Sequence, residues 1–175
     1  MNLILRVLLV SLGVLYRPRL KPTDISHLRL RVWPHDLDFN LHMTNSRYFA
    51  FMDLGRLDLI LRAGIWRLMH KHRLAAVLGA SVVRYRRALK PFEPFTLQTR
   101  LLGWDEAWVY LEQTMHGREG LACIAIQRAG FIRNGKLTPP SELALGPPQP
   151  LPAWVADWNK VEGVFATTAG SSEYV

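Results

Sequence analysis

Between Tyr48 and Ala63 the chain runs without a proline and sets apolar side chains on nearly every helical face. Tyr48, Phe49, Phe51, Met52, Leu54, Leu57, Leu59, Ile60 and Leu61 circle the helix, with Asp53, Arg56, Asp58 and Arg62 as the polar remainder. A helix apolar along one stripe lies on a surface, but one apolar on most sides has to be enclosed. The rest of the chain offers strands to enclose it. Upstream, His27 to Trp33 alternates Leu28, Leu30 and Val32 with Arg29 and Arg31, a period of two that marks a half-buried strand. Downstream, four strand-like runs follow a short helical stretch at Ile65–His72: Leu74–Leu89, Phe95–Gly103, Ala107–Met115 and Leu121–Ile132. Gly79 is expected to bulge or bend the first run. Pro91 and Pro94 bound the next turn, Gly117–Gly120 reads as a hairpin, and Asn134-Gly135 is a strong turn signal. The order is strand, long helix, then a meander of four strands, which places the chain in the α+β class.

The polar segment Trp33–Tyr48 joins the first strand to the long helix. It holds Asp36, Asp38, His35, His42, Asn40 and Asn45. Thr44, Asn45 and Ser46 are all N-cap residue types. The segment therefore sits where unpaired backbone N–H groups collect at the positive end of a helix. Such groups are candidate donors to a developing oxyanion.

The order Asp36-x-Asp38-x-x-Leu41-His42-x-Thr44-Asn45-x-x-Tyr48, followed by a helix carrying Arg56, resembles the signature of hot-dog-fold acyl-CoA thioesterases of the 4-hydroxybenzoyl-CoA thioesterase type. Their pattern is roughly D-x-D-x-x-G-H-x-N-N-x-x-Y. Leu41 stands where that family often has Gly, and Thr44 where it has the first Asn. The resemblance implies a curled antiparallel sheet wrapped around one long central helix. It implies a site without metal or redox cofactor, commonly at the interface of a homodimer or homotetramer. By the same resemblance, Asp38 attacks the thioester carbon or acts as general base on water, and the backbone N–H of Asn45 faces the thioester oxygen. Asn40, two residues after Asp38, would orient the acid or a water or serve as a turn asparagine, and His42, at the family's Gly-His position, would hold the loop or bond the acid. Tyr48 would line the acyl pocket or pack, rather than react. Asp36 is expected to be solvated or paired with Arg31 or Arg56, and Arg56 to form a structural ion pair.

Charge bears on the substrate. A formal net charge of +8 favours anionic partners. Zinc-finger spacing, RNA-binding aromatic signatures and long basic tracts are absent, so nucleic acid is not the expected partner. Coenzyme A phosphates and an anionic membrane surface remain. Arg84, Arg86 and Arg87 cluster at the end of one strand run, where they would grip CoA phosphates or form a solvated basic edge. The single Cys123 excludes an intramolecular disulfide and reads as core. His70-x-His72 lacks a third ligand nearby, so no metal site is expected.

Three regions are expected: an apolar helix and linker over residues 1–22, a hot-dog domain over 23–138, and a proline-rich extension with a short helix over 139–175. Met1–Tyr16 is too short to span a bilayer as a helix, so it either packs on the body or a partner subunit, or lies on a membrane surface. The expected location is cytoplasmic, with peripheral membrane contact through residues 1–21 as the variant. In the extension, Trp154 and Trp158 are spaced to form a docking face on a helix over Ala153–Val161, and Thr167–Val175 is expected to be loose. The function expected is hydrolysis of acyl-CoA to a carboxylic acid and CoA. The alternatives are a non-catalytic acyl-CoA or acyl-carrier binder and a hot-dog dehydratase or hydratase.

Overall fold

The enclosed helix is α2 (Asn45–Arg62) in the computed structural model, which describes residues 3–143, 145 and 150–170. Phe51, Met52, Leu54 and Leu59 of α2 are buried. Gly55 sets how closely the helix approaches the sheet, because a Cβ there would stand 2.4 Å from Thr99 Oγ1. One turn earlier, Gln113 Nε2 donates to Met52 O at 2.9 Å and to Thr99 Oγ1 at 2.8 Å, so a buried sheet amide reaches the helix backbone.

Among the described residues the sheet is antiparallel and has six strands: β1 (Ser26–Arg31), β2 (Ala75–Tyr85), β3 (Pro94–Trp104), β4 (Val109–Gly117), β5 (Gly120–Arg133) and β6 (Lys136–Thr138). The strand order is β1-β3-β4-β5-β2, with β6 added to β5. This is the hot-dog arrangement, a curled antiparallel sheet around a central helix. The β2–β5 register shifts between Leu78 and Ala80, so Gly79 does mark an irregularity. The unforeseen strand is β6. Asn134 and Gly135, at φ 52° and 76°, supply the two left-handed residues of a tight hairpin, and Lys136–Thr138 folds back on β5.

Helix α1 (Leu3–Gly13) packs against α2 through Val10 and the Arg6 guanidinium, which lies 4.4 Å from the Phe51 ring centroid. The linker after it is pinned at buried Asp58. That carboxylate accepts from Arg17 at 2.8 Å, Ser26 at 2.6 Å and, one turn along α2, Arg62 at 3.1 Å. Gly64, at φ 73°, stops α2, and α3 (Ile65–Lys71) follows.

Helix α4 (Trp154–Gly170) is longer than the sequence suggests. It docks on the sheet through Val155 and Trp158, an i,i+3 pair that clusters with Tyr110 and Trp108. Trp154 is exposed and takes no part in that cluster, which corrects the expected Trp154/Trp158 face. Backbone helix extends to Gly170, past the Ala153–Val161 helix read from the sequence. Pro147, Pro148 and residues 171–175 lie outside the described residues.

Candidate active site

The polar segment folds as two turns stacked before α2. The first is a 3-10 turn over Pro34–Asp36. Asp36 is fully buried, and its partner corrects the sequence reading. Arg6 of α1 binds it through both guanidinium nitrogens at 2.9 and 2.6 Å, while Trp33 N–H donates at 2.9 Å. Arg47 and His35 stand 3.5 Å away. Arg31 contributes only its carbonyl, to Arg6, and Arg56 is engaged elsewhere. A fully buried carboxylate needs such a charge-assisted set. Asp36 in turn fixes the entry to α2, because its carbonyl accepts Thr44 N–H at 2.9 Å.

The second turn carries Asp38. Leu37 and Met43 form an isolated antiparallel bridge, and Met43 N–H is tied to Leu89 O at 2.9 Å. Between them Asp38 N–H donates to His42 O at 2.8 Å, and Leu41 N–H to Asp38 O at 3.1 Å. The Asp38 carboxylate closes the turn from inside. Its Oδ1 accepts N–H groups of Asn40 at 2.9 Å and His42 at 3.2 Å. Both bonds fall on one oxygen, which leaves Oδ2 for another partner. Leu41 occupies the left-handed region at φ 57°. The position where the resembled signature has Gly thus keeps a glycine-like backbone with a leucine on it, at a cost that L-residues normally avoid.

Asn40, His42 and Asn45 are exposed, and Asp38 is partly so. Asn40 and His42 serve the turn through main-chain groups. Asn45 is the first residue of α2, whose N-cap Thr44 makes no side-chain capping bond. Arg47 N–H turns back to Thr44 O at 2.9 Å, and the first N–H groups of a helix otherwise lack intrahelical acceptors, so this end can donate to an anion. Tyr48, one turn on, is buried against Tyr85 at 5.0 Å, and its hydroxyl donates to Arg87 O at 3.4 Å. Burial pushes its phenol up to about 12, which keeps it neutral.

Arg84 lies on β2, and Arg86 and Arg87 just beyond it. Arg86 and Arg87 N–H groups both reach Ala122 O, at 2.8 and 3.1 Å. Arg87 also binds the Glu119 carbonyl and stands 3.5 Å from its carboxylate. All three arginines are exposed at the β2 end nearest the Asp38 turn, since Tyr48 bonds Arg87 O and Met43 bonds Leu89 O. Cys123 is buried, and burial pushes its thiol up to about 12, the opposite of an activated nucleophile.

An apolar cavity of about 390 Å³ opens between α2 and the sheet. Its walls include Leu57, Ile60, Val77, Leu78, Val109 and Ala129, and it meets polar groups at Asp53 and Arg56. Arg56 binds Asp53 and Gln127, and burial draws its guanidinium below its ordinary value against the pull of Asp53. Asp53 and Gln127 lie outside the residues that the sequence motif singles out. The one signal for them was Gln127, a lone amide inside the apolar run Leu121–Ile132.

Asp38, Asn40, His42, Asn45 and Tyr48 do not line this cavity. Within one copy the carboxylate sits by the Tyr85 end of β2 and the cavity by the Ala76–Leu78 end. A strand of this length separates its ends by roughly 30 Å.

A family model described as the thioesterase-like superfamily matches residues 32–159. Protein THEM6 of Xenopus laevis is 44% identical over 82 residues, which is 47% of this chain and 40% of that protein. Thioesterase lcsJ of Purpureocillium lilacinum is 32% identical over 124 residues, 60% of this chain and 39% of its own. The chain spans about half the length, 40% to 56%, of the THEM6 relatives it matches. Among solved structures, a thioesterase from Thermus thermophilus complexed with coenzyme A and zinc covers 71% of this chain and 91% of its own, with a TM-score of 0.60. At 19% identity that likeness speaks for the fold alone.

Proposed function

This chain belongs to the thioesterase-like superfamily, and we propose that it hydrolyses acyl-CoA thioesters to a carboxylic acid and free CoA, with Asp38 as the reacting carboxylate. The observation that carries the reading is Asp38 itself. One of its oxygens is fixed by two backbone N–H groups, beside a helix N-terminus that no side chain caps. Fixing one oxygen orients the other, and a preorganised carboxylate near main-chain donors is what thioester cleavage requires. Either Asp38 Oδ2 attacks the thioester carbon, or it takes a proton from the water that does. In both routes the C–S bond breaks, the thiolate of CoA leaves and is protonated, and the carbonyl oxygen collects charge facing Asn45 N–H; in the first route water then hydrolyses the acyl–Asp38 anhydride, which frees the acid and restores the carboxylate. Asn40 and His42 hold Asp38 through their main-chain N–H groups. Arg84, Arg86 and Arg87 supply positive charge for CoA phosphates at the same end of β2. The coenzyme A bound to the Thermus thermophilus structure supports CoA as the carrier.

The acyl pocket follows from the separation of carboxylate and cavity. Among the described residues β2 ends the sheet and pairs on one side only, with Leu78, Val82 and Tyr85 exposed. An exposed apolar edge strand calls for a partner. Antiparallel pairing of two β2 strands about a two-fold axis sets the Tyr85 end of one copy beside the Ala76 end of the other. The Asp38 turn of one protomer then meets the apolar cavity of its partner. The site proposed is shared across a homodimer.

Free-thiol release from short, long and aromatic acyl-CoAs tests the activity, with wild type and Asp38→Asn in parallel. Turnover that falls by about a thousandfold or more in the variant is the expected result. Equal rates in both remove Asp38 from the chemistry. Tight acyl-CoA binding by wild type without turnover overturns the enzyme reading.

A further inference from the structure

Helix α1 turns its more polar face inward. Arg6 is buried on Asp36 and Val10 is buried on the core, with Leu3 and Val7 partly so. The outward face is Ile4, Leu5, Leu8, Leu9 and Leu12, continued past the helix by Leu15 and Tyr16, with exposure from 46% at Leu5 to 89% at Tyr16. Because the bidentate Arg6–Asp36 contact clamps α1 to the body, this face is a fixed part of the surface. A contiguous patch of this kind marks an interaction site.

The surroundings of the patch are basic. On one flank, a cavity of about 400 Å³ between α1 and β1 is lined by Leu9, Arg29, Arg31 and Trp33. At the helix C-terminal end, a cavity of about 580 Å³ is lined by Leu15, Arg19, Trp66 and Arg67. No carboxylate among the described residues lines either one. Arg19, Arg29, Arg31 and Arg67 are exposed, and each cavity carries an exposed tryptophan. Arg67 lies 5.4 Å from the Trp66 ring centroid. Leucines on one plane, rimmed by arginines and by indoles that tolerate both apolar and wet surroundings, match the layering of a lipid headgroup region.

We infer that the outer face of α1, with its Arg19, Arg29, Arg31 and Arg67 rim, is a docking surface for an anionic lipid bilayer. The helix has 11 residues, so it reaches about 17 Å. No described helix is long and apolar enough to cross a membrane, and α1 lies in the headgroup plane with its leucines toward the acyl boundary. Charge decides between lipid and a second copy of the chain. A symmetric pairing through α1 would bring the same arginines of both copies together, whereas anionic headgroups neutralise them. This inference stands apart from the thioesterase reading.

The test is flotation of the full chain with vesicles of phosphatidylcholine alone or with phosphatidylglycerol. Wild type is expected to float with the anionic vesicles, and more weakly as salt rises. The exposed-site variant Leu8→Glu/Leu12→Glu should lose about tenfold or more of that binding. Arg19→Glu/Arg67→Glu should lose at least about fivefold for each arginine removed, roughly the worth of one basic side chain near such a surface. Circular dichroism matching wild type shows that the variants fold. Equal binding to neutral vesicles, no flotation, or no effect of the variants overturns the inference. So does a larger wild-type assembly that Leu8→Glu/Leu12→Glu dissociates, which would make the occupant a second copy.

Discussion

Replacing Arg6 with methionine should unfold the entry to the site before it touches the chemistry. The guanidinium makes two bonds to Asp36, at 2.9 and 2.6 Å, and the two side chains are 2% and 0% exposed, so solvent screens little of the interaction. Removing one partner of such a pair costs roughly 3–5 kcal/mol, because the other is left charged and buried. Arg47 at 3.5 Å and the Trp33 N–H at 2.9 Å offset part of that loss, which places the expected cost near the lower bound, about 3 kcal/mol. For a chain of this size the melting temperature should fall by roughly 6–12 °C. Urea unfolding followed by tryptophan fluorescence reads the change directly. The double variant Arg6→Met/Asp36→Leu removes both charges, and its cost should fall short of the summed single costs by about 2 kcal/mol or more. A loss below about 1 kcal/mol for Arg6→Met, or single-variant costs that simply add, would mean that the Arg6–Asp36 pair does not hold the entry to α2.

Two further outcomes follow from the backbone and from buried acids. Leu41 is 64% exposed at φ 57°, so Leu41→Gly sheds left-handed strain of about 1–2 kcal/mol and gives back less in unfolded-chain entropy, for a net gain of about 0.5–1 kcal/mol in urea unfolding; a net loss would mean that the leucine side chain packs there. Burial raises Cys123 from 9.0 to about 12, and burial with the Asp105 hydrogen bond raises Tyr110 from 10.0 to about 12. The folded state then keeps protons that the unfolded chain releases, so stability should be fully present below pH 9.0 and decline as pH climbs toward about 12. Denaturant unfolding from about pH 8 to about pH 11 checks this, and Cys123→Ala should flatten the first part of the decline; a stability that holds constant or rises across that range contradicts it.

The fold was readable where local period decides it. The alternation in β1, the all-round apolar helix α2 and the turn signals between strands each name an element without reference to distant residues. Gly79 announced a bulge for the same local reason. What escaped the sequence was pairing across distance. The partner of Asp36 is Arg6, thirty residues upstream, whereas Arg31 and Arg56 are the arginines nearer to it in sequence that the motif suggests. Strand β6 is too short to carry a period of its own. In α4 the docking pair is Val155 and Trp158, because the sheet contributes Tyr110 and Trp108 at that spot, a fact no helical spacing contains. The Asp38 motif was legible as a string of residue types. Its geometry, with Leu41 in a glycine conformation and two N–H groups on one carboxylate oxygen, was not.

If the carboxylate of one protomer serves the cavity of the other, mixed dimers of two inactive variants must regain activity. Asp38→Asn removes the acid, and Ala129→Phe fills the cavity it helps to line. Each variant alone should be inactive in thiol release. Unfolded and refolded together at equal concentration, they should recover about a quarter of wild-type activity, because half the dimers are mixed and each mixed dimer keeps one site with both parts intact. A mixture as inactive as its components, with mixed dimers confirmed by mass, would place acid and cavity in the same protomer or in unrelated roles.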